Sequence, residues 1–540
     1  MQQSGNRNTL NFNAIFIVGM CFVFLHGYQN CFSQNSKIKC YFNYPVNNII
    51  STGPNAVYLN SEFDDTIASY INRAKYSVDV AMYNYTSTAG SIVAKIATAA
   101  NNAVARGVLV RWIHNGSSTN SGLSLLSPLI NTIASPTSSV YGIMHNKFMV
   151  IDANSVNLND PVIMTGSYNF SSTQTTGDHN NIIFIQDKPV ALAYYEEFNK
   201  MWGGTGPAPN LALSSFGIYK TQSAQNIFNV NGTLVEVYFS PADATGQKLK
   251  NAINTVNEDL FFGIYTFTDT SIANLIKNKY NNGIAVRGMM DQYSKNYTSS
   301  TNTPYYILNP VLGNKFLLYV SSYQYHNKVM LIDALKPLSD PQVFTGSFNW
   351  SLAAQYSNDE NVVIIHDSSI ANQFYQSLCK NFTDMGGMPC TADPCPDEPT
   401  VFTSTLRGSV YKWQVNTGMG FTDLSDNVSY SGTTTPDLFI NNAPTAWYGN
   451  QYRCRVDGNF SDTITLKFTC YWTGHSSSYW EDPANWNCGK LPDANTDVII
   501  NNGVTFFPVV HSANSCRSIS LRPGTYLSVL AGINLVLTGQ

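Results

Sequence analysis

The sequence predicts an α/β fold written twice in one chain, two sandwich repeats closing on each other across a pseudo-twofold axis, with an all-β tail behind them. Three observations predict it. A polar stretch that turns wholly apolar occurs twice, as His145-Asn146-Lys147-Phe148-Met149-Val150-Ile151-Asp152 and as His326-Asn327-Lys328-Val329-Met330-Leu331-Ile332-Asp333. Strand and helix patterns alternate in the same order around each copy, which implies a mostly parallel or mixed sheet. Beyond Gly386-Gly387-Met388-Pro389 the helical period is lost and short strands take over.

In the first repeat, Val57 to Leu59 reads as a short strand and Asp64 to Ala74 as an amphipathic helix capped near Ser61. Tyr76 to Tyr83 alternates as a half-buried strand, a helix runs from Ser91 to Ala105 until Gly107 stops it, and Val108 to Trp112 is the next strand. The motif strand opens at His145, and Pro161 leads to Thr165-Gly166-Ser167-Tyr168-Asn169-Phe170-Ser171. Asn181 to Ile185 and a helix from Val190 to Trp202 close the unit. The order returns with Val235 to Phe239, the helix Lys248 to Asn254, Leu260 to Tyr265, the helix Ser271 to Asn281 and Gly283 to Arg287. The second motif strand follows, then Thr345-Gly346-Ser347-Phe348-Asn349-Trp350-Ser351 and Asn361 to Ile365. His145 and His326 stand 181 apart, and Gly166 and Gly346 stand 180 apart. So steady an offset means two copies of one unit, with differences confined to loops.

At 540 residues the chain is too long for a single core. Charged residues are only 12%, against about 25% in ordinary domains, and Asn, Ser, Thr and Tyr supply the polarity, a composition suited to the extracellular space. The formal net charge of -4, without a Lys/Arg run, excludes global attraction to nucleic acid or anionic membrane, so phosphate must be handled by local charge. Ala14 to Leu25 has the length of a signal-peptide apolar region and ends near Cys31-Phe32-Ser33-Gln34, so export to the cell surface or beyond is expected. Of the eight cysteines after that segment, seven lie past residue 378 and lack the paired Cys/His spacing of a zinc site, so structural disulfides are expected and no metal. The expected divisions are a signal peptide at 1–34, repeats at 35–225 and 226–385, and β domains at 386–468 and 469–540.

His-x-Lys-x4-Asp followed by Gly-Ser-x-Asn, twice in one chain, resembles the phospholipase D superfamily of phosphodiesterases over about residues 50 to 385. The resemblance implies a phosphoric diester hydrolase without a cofactor, in which the two half-sites form one catalytic centre. A nucleophile on the protein divides a hard hydrolysis into two easier steps, and two imidazoles in different protonation states can attack phosphorus and protonate the leaving oxygen. The resemblance gives attack to His145 and acid–base work to His326. Lys147 and Lys328 then supply charge to the phosphate oxygens. Asn169 and Asn349 donate hydrogen bonds there, while Ser167 and Ser347 either join them or set the turn and the shell around each His. Asp152 and Asp333, at the far strand ends, are read as structural ties. In the family a Glu follows Gly-Ser-x-Asn and orients a His. Glu360 fills that place fourteen after Gly346, whereas Asn180 stands fourteen after Gly166, with Asp178 or His179 nearby to compensate. The aromatics Tyr83, Tyr85, Tyr265 and Phe267 are expected in the core, with room for some at the cleft. Asn169-Phe170-Ser171 and Asn349-Trp350-Ser351 also match the glycosylation sequon, read as coincidence because a glycan would block the site.

In the tail, Val410 to Val415 with Trp413, and Tyr452-Arg453-Cys454, resemble an immunoglobulin-like module of secreted bacterial proteins. Its earlier cysteine is missing, which leaves Cys454 to pair with Cys390, Cys395 or Cys470. Trp480 to Cys488 resembles a β module common in surface proteins of Bacteroidota, the start of a sandwich or a solenoid. The chain stops directly after Ile533 to Leu537, so that strand is expected to continue. The tail is read as a spacer with no ligand, in preference to an adhesion module.

The function expected is a secreted, metal-independent phosphodiesterase acting through a covalent phosphohistidine. Low basicity and abundant aromatics favour a phospholipid headgroup ester, with contact at a membrane or cell surface and no stable protein partner. Short connections like those of small bacterial nucleases keep DNA or RNA as the alternative. The loss of one Glu keeps open a catalytically weak surface binding protein.

Overall fold

Side chains on successive strand residues point to opposite faces, so a motif strand apolar throughout must be covered on both sides. Both motif strands are. The computed structural model describes residues 37–539 except 52–53, 139–140, 297–301, 336–338, 388–389, 391–393, 405, 407, 462, 501–503 and 522–524. The expected signal peptide lies outside the described residues. In strand Lys147–Ile151, Phe148 and Val150 enter one core while Met149 and Ile151 enter another. In Lys328–Ile332, Val329 and Leu331 share the core of Phe148, and Met330 and Ile332 face a third.

These alternations define two eight-stranded mixed sheets. The first runs in the order 57–58, 38–42, 181–185, 162–166, 147–151, 77–82, 109–114, 131–134. The second runs 227–230, 233–240, 360–366, 342–346, 328–332, 259–264, 285–291, 316–319, the same path from the second strand onward. Their inner faces meet in one continuous core with helices Lys188–Trp202 and Ser368–Asp384. The outer faces are covered by Phe63–Arg73 and Ala94–Ala105 on one side and by Thr245–Thr255, Thr270–Asn281 and Pro304–Leu312 on the other.

Several elements differ from expectation for physical reasons. Strand Ile38–Phe42, unannounced in the sequence, pairs antiparallel with Asn181–Ile185, more than a hundred residues away. Helix Ser368–Asp384 was not expected, and it buries Asn372, Gln373, Gln376 and Asn381 alongside its apolar residues. Gln373 accepts a bond from the Cys40 thiol and Gln376 accepts from Ala56 N, so those polar groups tie the helix to the other repeat. Helix Phe63–Arg73 starts after Glu62 with no side-chain cap, and Ser61 sits at φ 55 instead of capping it. Strand pairing begins at Lys147 and Lys328, which places each motif His just before its strand.

The tail is all-β. Strands 400–403, 437–440 and 430–431 form one antiparallel sheet and 421–423, 411–416, 451–456 and 459–460 another, around Trp413, Tyr452 and Leu438. The last part pairs in parallel, 469–472 with 497–500 and 518–521, the stacking of a solenoid and not of a sandwich. Disulfides join Cys379 to Cys390 and Cys395 to Cys488. This corrects the expectation for Cys454, which pairs with none of its three candidates. It packs as a small buried thiol in the tail core, and Cys40, Cys470 and Cys516 are likewise unpaired and buried.

Asp152 and Asp333 close the motif strands in the left-handed region, at φ 52 and 50, which Asp tolerates better than most residues. Asp152 accepts the backbone N–H groups of Lys75, Tyr76 and Ser77, and Asp333 those of Asn257, Glu258 and Asp259. Each stitches the motif strand to the start of its neighbour. Asp333→Ala removes the acceptor of three part-buried backbone donors and is expected to lower the unfolding free energy by about 2 kcal/mol in a denaturant titration, with Asp333→Asn losing less.

Candidate active site

The two half-sites are assembled by backbone exchange between repeats. His145 N donates to Asp359 O at 2.8 Å and Asp359 N donates to Ile143 O at 2.9 Å, while His179 N donates to Gln324 O at 2.9 Å on the opposite side. Gly166 and Gly346 permit a close approach within each sheet, to the strand that begins at Asn181 or Asn361. Both have left-handed φ, 149° and 143°, and a Cβ on either would lie 2.2 Å from the carbonyl oxygen of Asn181 or Asn361. Those two Asn residues then reach across the axis. Asn181 Nδ2 donates to Asn327 Oδ1 and its Oδ1 accepts from Thr345, while Asn361 Oδ1 accepts from Lys147 N and its Nδ2 donates to Thr165.

Each histidine is held by the other repeat. His145 Nδ1 lies 2.7 Å from Glu360 Oε2, and because a carboxylate only accepts, that nitrogen carries the proton. Nε2 keeps the lone pair. His326 Nδ1 lies 3.0 Å from Asn180 Oδ1. The amide is oriented by its Nδ2, which donates to the carbonyls of Gln174 and Asp178, so its oxygen faces the imidazole. Ser167 donates to Asn180 Oδ1 and Ser347 to Glu360 Oε2, both fully buried. The serines therefore sit in the shell behind the imidazoles, not against a phosphate. Asp178 and His179 touch neither imidazole directly: His179 bonds Asn381 and stacks on Tyr44.

Lys147 and Lys328 are buried and each donates to the carbonyl oxygen of its own motif His, at 3.0 and 2.7 Å. An ammonium has three donors, which leaves more to offer. Tyr83 packs its ring against His145 and beneath Lys147, and Tyr265 does the same for His326 and Lys328. Tyr85 and Phe267 are buried in the outer cores. Asn169 Oδ1 is buried without a partner among the described residues, and Asn349 Oδ1 accepts from Thr266 N.

Burial governs the electrostatics. It drives His145 down to about 4 and Lys147 down to about 7, with Glu360 opposing both shifts, and it drives His326 and Lys328 well below their ordinary values. Mutual repulsion among these four groups adds to the effect on His326 and Lys328. An anion between them reverses the balance, since it favours every charged form. The arrangement can bind one phosphate between two cations, with a hydrogen-bonded imidazole on either side.

The residues that sequence reasoning missed are the ones acting across the axis. Asn181 and Asn361 carry the same 180 offset as the motif glycines, and that doubling was the available signal. Lys220, in the connection between repeats, is buried against Asp359 at 2.7 Å and also pairs with Glu197. Nothing in its local sequence marks it.

The sequence family described as "Cardiolipin synthase, PLD-like domain" matches residues 67–202 and 249–382, the two repeats. The chain belongs to the phospholipase D superfamily. A phospholipase D of Rickettsia conorii is 27% identical over 190 residues, 35% of this chain and 87% of that protein. A mitochondrial cardiolipin hydrolase of Drosophila melanogaster is 29% identical over 152 residues, 25% of this chain and 57% of that one. Among solved structures, a phosphatidylserine synthase of Haemophilus influenzae aligns at 14% identity with a TM-score of 0.45, covering 65% of this chain and 86% of its own. Nuc of Salmonella typhimurium, a phospholipase D family member, aligns at 24% identity with a TM-score of 0.23 over 28% and 93%.

The depressed His145 has a consequence for stability in this phospholipase D superfamily chain. Between about 4, its folded value, and about 6.5, its unfolded one, the unfolded state binds more protons. Stability must therefore fall as pH drops through that window, by up to about 3 kcal/mol from this group. Melting temperature against pH should be flatter for His145→Gln than for the wild-type protein.

Proposed function

We propose that the chain is an exported phosphodiesterase that cleaves a phospholipid headgroup ester through a phosphohistidine on His145. The observation that carries this is the unequal backing of the two histidines, a carboxylate behind His145 and an amide behind His326. In the first step His145 Nε2 attacks phosphorus, the P–N bond forms, the P–O bond to the leaving group breaks, and the His326 imidazolium gives its proton to the departing oxygen. The phosphorylated imidazole gains positive character, and Glu360 at Nδ1 stabilises it. His326, contacted by an amide where His145 meets a carboxylate, is the stronger acid when protonated. In the second step water gives a proton to His326, its oxygen attacks phosphorus, and the P–N bond breaks to restore His145. Lys147 and Lys328 neutralise the phosphate oxygens in both steps, so the chemistry needs no metal ion.

A lipid substrate is supported by the net charge of -4, and by the relatives whose names are phospholipase D and cardiolipin hydrolase. The two disulfides fit an extracellular setting, and the tail fits a spacer with an immunoglobulin-like first module. One observation favours a second reading. Tyr293 stacks on Tyr265 at 5.5 Å and 13° and is 46% exposed, a platform on which a nucleobase can also stack.

Hydrolysis of bis(p-nitrophenyl) phosphate should survive EDTA and be lost in His145→Ala. In His326→Ala the good leaving group departs without an acid but water lacks its base. That variant should therefore release about one equivalent of nitrophenol and hold an acid-labile phosphoryl group. Absence of turnover in the wild-type protein sinks the enzyme reading in favour of a binding protein. Phosphatidylcholine vesicles assayed beside single-stranded DNA decide the substrate.

A further inference from the structure

The pseudo-twofold axis pairs residues one by one, and the loop entering each motif His is clamped in the same way in both halves. Ahead of His145, Asn358 Oδ1 accepts from Ile143 N at 3.2 Å and Asn115 Oδ1 accepts from Met144 N at 3.0 Å. Ahead of His326, Asp178 Oδ1 accepts from Gln324 N at 2.7 Å and Asp291 Oδ2 accepts from Tyr325 N at 2.8 Å. The geometry is conserved between halves and the charge is not. The half of His145 has two neutral clamps and the carboxylate of Glu360, whereas the half of His326 has two acidic clamps and the amide of Asn180.

We infer that Asp178 and Asp291 are positioning residues that supply, from one layer further back, the negative charge that Asn180 no longer provides to His326 and Lys328. An amide orients an imidazole as well as a carboxylate does but gives no charge to hold its proton, and the acid of the first step must begin protonated. Two buried carboxylates bonded to the backbone immediately before His326 can hold it without touching it, because a charge acts through a poorly screened interior over more than contact distance. The charged groups acting on His326 are Lys328, two residues on, and His145 and Lys147 from the other motif, with Tyr265 from the strand Asp259–Ile264 packed against its ring; the two carboxylates, one after the short helix Ser172–Thr176 and one at the end of Ala285–Asp291, act on its neighbour Lys328. Both carboxylates act on Lys328 in the direction that keeps it charged, as does Glu360. Without them the set around His326 is almost wholly cationic. Natural Asn at both matching positions of the other half shows that Asp→Asn keeps the clamp.

The inference rests on reading His326 as the acid, and a binding-based test separates the two. With the site saturated by inorganic phosphate, 15N-histidine NMR follows each imidazole through pH in wild type, in Asp178→Asn/Asp291→Asn, and in that variant with Asn180→Glu added. The expected result is a fall of about one pH unit in the His326 midpoint in the double variant, an unmoved His145, and recovery in the triple variant. On bis(p-nitrophenyl) phosphate, whose leaving group needs no acid, the acidic limb of kcat, set by His326 as the base for water, should move to lower pH in parallel. A His326 midpoint that is the same in all three proteins overturns the inference, as does an equal fall at both histidines, which would signal general loosening. If the NMR shifts appear but wild type turns nothing over, the enzyme reading fails and the electrostatic assignment stands.

Discussion

The constraint on which the rest depends is that neither histidine is oriented by its own repeat. His145 takes its partner from Glu360 and His326 takes its partner from Asn180, each across the axis. For this to hold, segments of the two repeats must approach within backbone hydrogen-bonding distance, which calls for a side chain that both donates and accepts across the axis at 181 and 361, while glycine at 166 and 346 lets the strands that begin there pack close within each sheet. The shared apolar core beneath, from Phe148 and Ile183 to Val237 and Val363, fixes the two sheets at that separation. The site is the mouth of an interface, assembled from both repeats.

Burial then sets the electrostatics. Two lysines and two histidines lie together away from water, and desolvation weakens the hold of all four on their protons. A permanently charged quartet would repel itself open, so carboxylates must be distributed around it sparingly enough to leave the centre attractive to a phosphate. The protein does this with Glu360 in contact with His145, and with Asp178 and Asp291 withdrawn behind the backbone of the other half.

Much of this was legible in the sequence, and what was not has an identifiable cause. The doubled motif, the strand and helix order and the unequal pair Glu360 and Asn180 all follow from local periodicity and a fixed offset, both of which a linear reading can see. The direction of the exchange was not legible, because an offset says that two residues are equivalent and not which of two histidines each will face. Helix Ser368–Asp384 keeps a readable helical period; what the sequence does not show is that Gln373 and Gln376, polar in composition, are buried and satisfied by the opposite repeat. Asp291 ends an otherwise ordinary strand, and its meaning appears only beside Asn115 in the matching place. The cysteines misled for a related reason: an even count says nothing of how many thiols a core will simply pack, as it does Cys454 and Cys470.

The linker shows why two copies in one chain differ from two copies of one chain. In a symmetric homodimer both halves carry the same residue at every position, and a carboxylate lost behind one histidine is lost behind both. Here the segment joining the repeats runs through Gly217 and Lys220, whose N–H and ammonium both bind Asp359, the residue before Glu360. Tyr141 bonds the same carboxylate. The matching residue in the first repeat is His179, packed among Tyr44, Tyr319 and Asn381, with no linker to hold. Covalent connection therefore reaches one half of the site only, and it reaches the half whose carboxylate contacts His145. Once the halves are physically distinct, selection can act on them separately, and the exchange of Glu for Asn in one place and of Asn for Asp in two others is the form such divergence takes when the total charge must still balance two imidazoles and two lysines.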